Sequence, residues 1–386
     1  MAPIRTAIVG LSSSAKTSWA SKAHLPYLLS PLGRSKYQIV ALQNSSVEAA
    51  QNAITHYNLP SDTKAYGTPE DLAADKNVDL VVVATRVDVH HSNALPSLKA
   101  GKTIFVEWPL AQDVKHAKEL VDAAKETDVK TLVGLQGRFS PPIVKIRELL
   151  NEGRIGKVLS SELHASGGTN DREILPSTLQ YFTQRAIGGN DFTIGLAHIF
   201  DSFQSVLGDV TNIKSRLHSQ RPNVRIRDPT TNEIINRVTT DVPDITFATG
   251  TLQESKTVQK DAAVSIRFRR GQPFPGEPPL TITINGEKGE IRLRSFGGTA
   301  LNAAGYSKPV TIEIHDFETD TVEEVKWKWQ AWQEENDIPI IGRSIAAVYE
   351  QFANGRGEGL VSFSEALKRH EQLEGMLKQW DAEKSQ

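Results

Sequence analysis

A glycine and three serines follow the first apolar run of this 386-residue chain, in the order Val9-Gly10-Leu11-Ser12-Ser13-Ser14-Ala15. Glycine at the end of a strand permits a tight turn into a helix, whose unpaired N–H groups and positive dipole end hold a pyrophosphate. The usual fingerprint has three glycines; here Gly10 stands alone and Ser12 takes the second position. Serine hydroxyls and backbone N–H groups both donate to phosphate, so the loop suits the same ligand. By itself it reads equally well as a structural corner. The second apolar run ends in Asn44-Ser45-Ser46 and lacks the carboxylate that usually binds the ribose 2′-hydroxyl of NAD. Its absence removes repulsion against a 2′-phosphate, and Ser45 and Ser46 can donate to one, although no arginine follows. NAD and NADP both remain open.

Other chemistries are narrowed by composition. The chain has no cysteine, which excludes disulfides, thiolate zinc sites and cysteine nucleophiles. His90 and His91 are adjacent, so on a helix they point about 100° apart and cannot chelate one metal together. No HExxH spacing occurs, and no metal is expected. Lys plus Arg number 44 and Asp plus Glu 46, a net charge of 44 − 46 = −2, which gives no surface for direct nucleic-acid binding. No window reaches the roughly 18 consecutive apolar residues of a membrane span. The N-terminal MAPIRTAIVGLSSS is too short for a signal peptide, and Lys384-Ser385-Gln386 is no recognisable address. A cytoplasmic protein is the default expectation, with the nucleus open.

The elements that must position these residues follow from periodicity. Ile4–Val9, Tyr37–Leu42, Leu80–Ala84, Thr103–Val106 and Lys130–Leu135 read as strands. Helical patterns around Trp19–Leu28, Val47–Tyr57, Asn93–Ala100 and Val114–Lys125 lie between them. That alternation predicts βαβ units and a doubly wound parallel sheet, a Rossmann domain over 1–137. It also strengthens the phosphate-binding reading of the first turn. Residues 138–386 change character. Val158–His164, Val210–Leu217, Thr246–Gln253, Ala262–Arg269, Leu280–Asn285, Gly289–Arg294 and Val310–His315 alternate as strands of a sheet with one solvated face. Helices are expected at Ile194–Leu207, Pro339–Ala353 and Ser362–Trp380, the last packing back on the first domain. Arg221–Asp244 reads as a hairpin or surface loop. The second half is thus an α+β domain with a large, mainly antiparallel open sheet.

Four motifs in order resemble the glucose–fructose oxidoreductase and inositol dehydrogenase (Gfo/Idh/MocA-type) family over nearly the whole chain. They are Ala84-Thr85-Arg86 with His90; Gly101 to Leu110; Gly137-Arg138-Phe139-Ser140-Pro141 with Gly153-Arg154-Ile155-Gly156; and Gly188-Gly189-Asn190 with His198 and Asp201. Two departures fall on the chemistry. Trp108 stands where the family has its catalytic lysine, and Ile194 where it has an aspartate before the active-site histidine. An indole N–H only donates and cannot act as a base. Loss of a general acid–base group costs about 10²–10⁴ in rate. Glu107-Trp108, the Gly10-Leu11-Ser12 loop and Leu135-Gln136-Gly137-Arg138 resemble the branch containing the yeast galactose-regulon corepressor.

The resemblance implies Gly10, Leu11, Ser12, Ser13, Ser14, Asn44, Ser45, Ser46, Thr85, Arg86, His90, Glu107, Trp108, Gln136 and Arg138 as cofactor-binding positions. His198, with Tyr181, is implied as catalytic. Each has a plainer reading: His198 as a packed helix histidine, Trp108 as core beside Pro109, Glu107 as a helix cap, Arg138 as an interdomain ion pair, Tyr181 and Arg185 as solvated surface. The leading expectation is an NAD(P)-dependent oxidoreductase acting on a sugar or polyol-like carbinol with an altered proton relay. The alternative is a cofactor-binding transcriptional regulator with its own protein partner, and a nucleotide-dependent hydrolase is a weaker third. The open sheet implies a homodimer.

Overall fold

Leu80–Val83 is a run of leucine and valine with no exposed member, as a strand covered on both faces requires. The computed structural model describes residues 2–15, 18–167, 171–303 and 305–384; Ser385 and Gln386 of the tail lie outside it. In the first unit, strands β1 (Ile4–Val9), β2 (Tyr37–Gln43), β3 (Lys64–Tyr66), β4 (Leu80–Val83), β5 (Thr103–Glu107) and β6 (Thr131–Gly134) form one sheet. All pairs are parallel, in the order β3-β2-β1-β4-β5-β6. The strand order reverses between β1 and β4, where doubly wound sheets open a ligand crevice. Three-residue β3 was not expected, because so short a segment shows no alternation.

The two compact units are not consecutive halves. Residues 1–136, 186–189 and 330–371 form the first, and 137–185, 190–329 and 372–386 the second. The expected single boundary at 137/138 overlooks a return longer than one helix. Val133 N–H donates to the Val361 carbonyl at 2.8 Å, and Phe363 N–H to Thr131 Oγ1 at 3.1 Å. Helix Ile340–Ala353 brings fully buried Tyr349 against Tyr27, Tyr37 and Phe105. Helix Phe363–Lys384 starts at the reciprocal Ser362/Glu365 cap that the sequence suggested.

The second unit is built on an eight-stranded sheet. Its strands are β7 (Val158–Ser166), β9 (Val210–His218), β12 (Ile245–Leu252), β13 (Val258–Arg269), β14 (Leu280–Gly286), β15 (Gly289–Ser295), β16 (Val310–Asp316) and β17 (Thr321–Val325). The order is β17-β16-β15-β14-β7-β13-β12-β9, with only the β13–β7 pair parallel. Strict alternation in β14 and β15 buries one face and leaves the other wet. The polar 221–244 segment is indeed a hairpin. Its strands β10 (Asn223–Arg227) and β11 (Ile234–Thr239) join β8 (Ile174–Pro176) in a small sheet over Leu175, Val224 and Ile226.

Candidate functional site

Gly10 ends β1 at φ +94°, and a Cβ there would lie 2.7 Å from the Ala84 carbonyl oxygen and 2.7 Å from Thr85 Cγ2. No side chain fits, so the glycine lets the turn hug the end of β4. The loop beyond it is tied down from two directions. Asn44 Nδ2 donates to the Leu11 carbonyl at 2.9 Å, and the Tyr57 hydroxyl to the Ser12 carbonyl at 2.9 Å. Ser12 Oγ receives the Ser14 N–H at 3.2 Å, which folds Ser12–Ser14 into a local turn.

Beside this loop lies a cleft of about 490 Å³ at the C-terminal ends of β1, β2 and β4. Gly10, Asn44, Ser45 and Thr85 line it, as the sequence indicated. So do Gln43, Glu70, Ser92 and Asn93, which the sequence did not single out. Glu70 had a local signal: Thr68-Pro69-Glu70 is a helix start, and Thr68 Oγ1 caps the Asp71 N–H. Ser46 is spent otherwise, because its hydroxyl caps helix Val47–His56 through the Ala49 N–H at 3.0 Å. The walls suit the ribose and adenine half of a dinucleotide: neutral donors and acceptors, a glycine-permitted close approach, and one carboxylate.

At the ends of β4, β5 and β6 the sequence candidates are engaged in contacts within the first unit. Arg86 folds onto Asp88 through two contacts of 2.6 Å, and that guanidinium holds the Asp88 carboxyl below its usual range. His90 is buried, its Nδ1 2.8 Å from the Pro109 carbonyl and its Nε2 3.0 Å from the Thr85 carbonyl. Burial lowers its pKa, while both carbonyls act the other way. The ring therefore ties the β4 and β5 end loops together and presents no nitrogen to a ligand. Glu107 neither caps a helix nor opens to solvent. Its Oε1 lies 2.9 Å from His24 Nε2, and His24 Nδ1 lies 2.8 Å from the Tyr349 hydroxyl. A neutral ring satisfies both bonds, with Nε2–H donating to the carboxylate and the tyrosine donating to Nδ1. The carboxylate rests on Gly134, where a Cβ would come within 2.4 Å of Oε2. Trp108, 4% exposed, packs against His370 with ring centroids 4.6 Å apart. Burial pushes the His370 pKa down to about 4. Gln136 is wholly buried, and no part of it lines the cleft.

The remaining sequence candidates belong to the second unit. Arg138 makes a buried bidentate pair with Asp201, at 2.9 and 2.7 Å, inside that unit; it is not an interdomain link. Arg185 grips Asp381 through two bonds of 2.8 and 2.9 Å. Tyr181 is half-buried against Phe182. His198, half-buried in the first turn of helix Ala197–Leu207, lines a void of about 10 Å³ with Ser202, Thr299 and Asn302, room for about one water. Among the described residues no cluster of three or more His, Cys, Asp or Glu side chains is placed to hold a metal. No described helix is long and apolar enough to cross a membrane.

Comparison with known proteins agrees with this geometry. Residues 4–135 match the oxidoreductase family with an NAD-binding Rossmann fold, and residues 141–295 match the Gal80p C-terminal domain. The galactose/lactose metabolism regulatory protein GAL80 of Saccharomyces cerevisiae is 31% identical over 307 residues, 78% of this chain and 68% of that protein. Dehydrogenase aclE of Aspergillus oryzae is 29% identical over 383 residues, 97% and 95% of the two chains. The crystal structure of a super-repressor mutant of Gal80p from S. cerevisiae superposes with a TM-score of 0.85 at 26% identity, covering 99% of this chain and 97% of that one. The chain belongs to the GFO/IDH/MocA family of NAD-binding oxidoreductases. Within it, the second unit carries a C-terminal domain of the Gal80p type.

Proposed function

We propose that the chain binds NAD across the β1/β4 switch point and acts as an oxidoreductase on a sugar or polyol-like carbinol. The observation that carries the choice of nucleotide is the cleft wall. Among its described lining residues there is no Lys or Arg, and Glu70 contributes a carboxylate. A 2′-phosphate brings about −1.5 to −2 charges, which this wall repels, whereas ribose hydroxyls can donate to Glu70 and Asn44. When bound, the nicotinamide ring supplies the hydride-accepting carbon. The chain's own residues hold the nucleotide through the Gly10–Ser14 turn and receive the substrate proton. Position 108 cannot do so, and Glu107 and His90 are engaged elsewhere. On the family resemblance we assign proton transfer to His198, with Tyr181 as the second polar group. The whole-length likeness to dehydrogenase aclE supports an enzyme. The test is a panel of polyols and aldoses followed at the nicotinamide absorbance. Turnover that collapses in His198→Ala supports the assignment, and no turnover on any member sinks it.

One observation favours a second reading, a nucleotide-binding regulator like GAL80. Trp108 is buried against His370, and an indole there cannot take up the proton that the family's lysine handles. A regulator binds NADH, turns over nothing, and stays inactive when Trp108→Lys restores the family's side chain.

A further inference from the structure

We propose that an arginine cluster at the end of β13, made by Arg172, Arg267, Arg269 and Arg221, binds a phosphate dianion, free or as the monoester of a small metabolite. Arg267 and Arg269 are two residues apart on β13 and share its outward face, about 7 Å apart along the strand. Arg269 donates to the carbonyls of Gln272 at 2.8 Å and Arg270 at 3.4 Å, and Arg172 donates to the same Gln272 carbonyl at 3.2 Å. Arg267 donates to Ser166 Oγ at 3.3 Å, and its Nε is buried with no acceptor. Among the described residues, the hydrogen bonds of these three guanidinia go to neutral oxygens. None of Arg172, Arg267 and Arg269 has a carboxylate within ion-pair distance among the described residues.

Of the neighbouring carboxylates, Glu173 pairs with cluster member Arg221, and the others are engaged elsewhere. Asp171 accepts the N–H groups of Glu173 and Ile174 and the Gln272 amide. Asp244 accepts the N–H groups of Gln220 and Arg221. Glu173 serves Arg225 at 3.3 Å and reaches Arg221 only at 3.7 Å. Burial and then the charges of Arg267, Arg172 and Arg221 lower the pKa of Arg269, so the group repels itself as it stands. The backbone also yields to it. Gly271 sits at φ +89°, and a Cβ there would lie 2.3 Å from Arg172 Cγ. Arg172 and Arg269 meet at the one Gln272 carbonyl, and two planar forks held side by side match the paired oxygens of a tetrahedral dianion, with little ordering left to do on binding.

The experiment is calorimetric titration of the whole chain with inorganic phosphate, and separately with a sugar monophosphate, at constant ionic strength. Wild type should bind one anion, and Arg172→Gln and Arg269→Gln should each weaken it by about tenfold or more. Arg172 is exposed, so its variant folds even if Arg269→Gln does not. Lys214→Gln, an exposed lysine on the same face, should change binding less than about twofold. Tighter binding of the sugar phosphate assigns the anion to an ester, and equal binding to the free ion. Absence of saturable binding, equal affinity in the arginine variants, or an equal loss in Lys214→Gln would overturn the proposal.

Discussion

The two ends of the parallel sheet's C-terminal edge are built on opposite plans. At β1, β2 and β4 an open cleft is lined by Ser45, Glu70, Asn44 and Asn93, the two asparagines also bonded to neighbouring carbonyls, around a glycine whose positive φ and close approach leave little room for a Cβ. At β5 and β6 the candidate groups are turned inward, Glu107 to His24 and Tyr349, His90 to two carbonyls and Trp108 to His370, while the Gln136 amide and His370 Nε2 are buried with no hydrogen-bond partner among the described residues. One end is an open, polar-lined cleft and the other is packed. Sequence motifs present both ends as site residues; only burial and hydrogen bonding separate them. On the function proposed above, nucleotide binding and proton transfer fall to different parts of the chain.

The sharpest break of this comparison is His198→Ala. If proton transfer lies outside the β5 end, kcat falls about 10²–10⁴-fold while NADH affinity stays the same. Next is His24→Ala, which strands the Glu107 carboxylate with 10% of its side chain exposed. It should cost about 3 kcal/mol of stability in denaturant unfolding, with nucleotide affinity unchanged. A loss of affinity without loss of stability would return Glu107 to the binding half. Gly10→Ala acts on the open end. The 2.7 Å approach to Ala84 must widen, and NADH affinity should drop at least about tenfold, against a stability cost of roughly 1–3 kcal/mol.

Acid titration sharpens the same contrast. His370 falls from its ordinary 6.5 to about 4 when folded, so between those values the unfolded chain binds the extra proton. Stability is fully present above about 6.5 and declines as the pH falls toward 4, by about 2 kcal/mol between pH 7 and pH 5. His90, also lowered by burial, adds in the same direction. His370→Phe keeps a ring against Trp108 and should flatten the profile; an unchanged profile removes His370 from the account. The smallest effect is Glu70→Lys, which should move preference from NADH toward NADPH by about tenfold.

Much of the scaffold was legible because burial on both faces writes itself into residue type. Leu80–Val83 and Thr103–Glu107 are recognisable from β-branching and flanking turns alone. β3 was not, being three residues long, and of the return of residues 330–371 only the last helix was expected, since the part before it depends on contacts such as Tyr349 with His24 that no local pattern encodes. At the site, Gly10 was readable since a strand-ending glycine implies positive φ. The bond of Glu107 to His24 was not legible, because the partner lies 83 residues earlier, and the 3.6 and 2.0 periods carry no information at that range. Arg138 pairing with Asp201 was similarly hidden by a separation of 63 residues.

The most direct test of the separation between binding and chemistry is a fluorescence titration of NADH on wild type, His198→Ala and Trp108→Lys, with turnover measured on the same samples. The account predicts one affinity for all three proteins, weaker binding of NADPH, and turnover that vanishes only in His198→Ala. Turnover unaffected by His198→Ala, or wild type that binds no NADH, would contradict it.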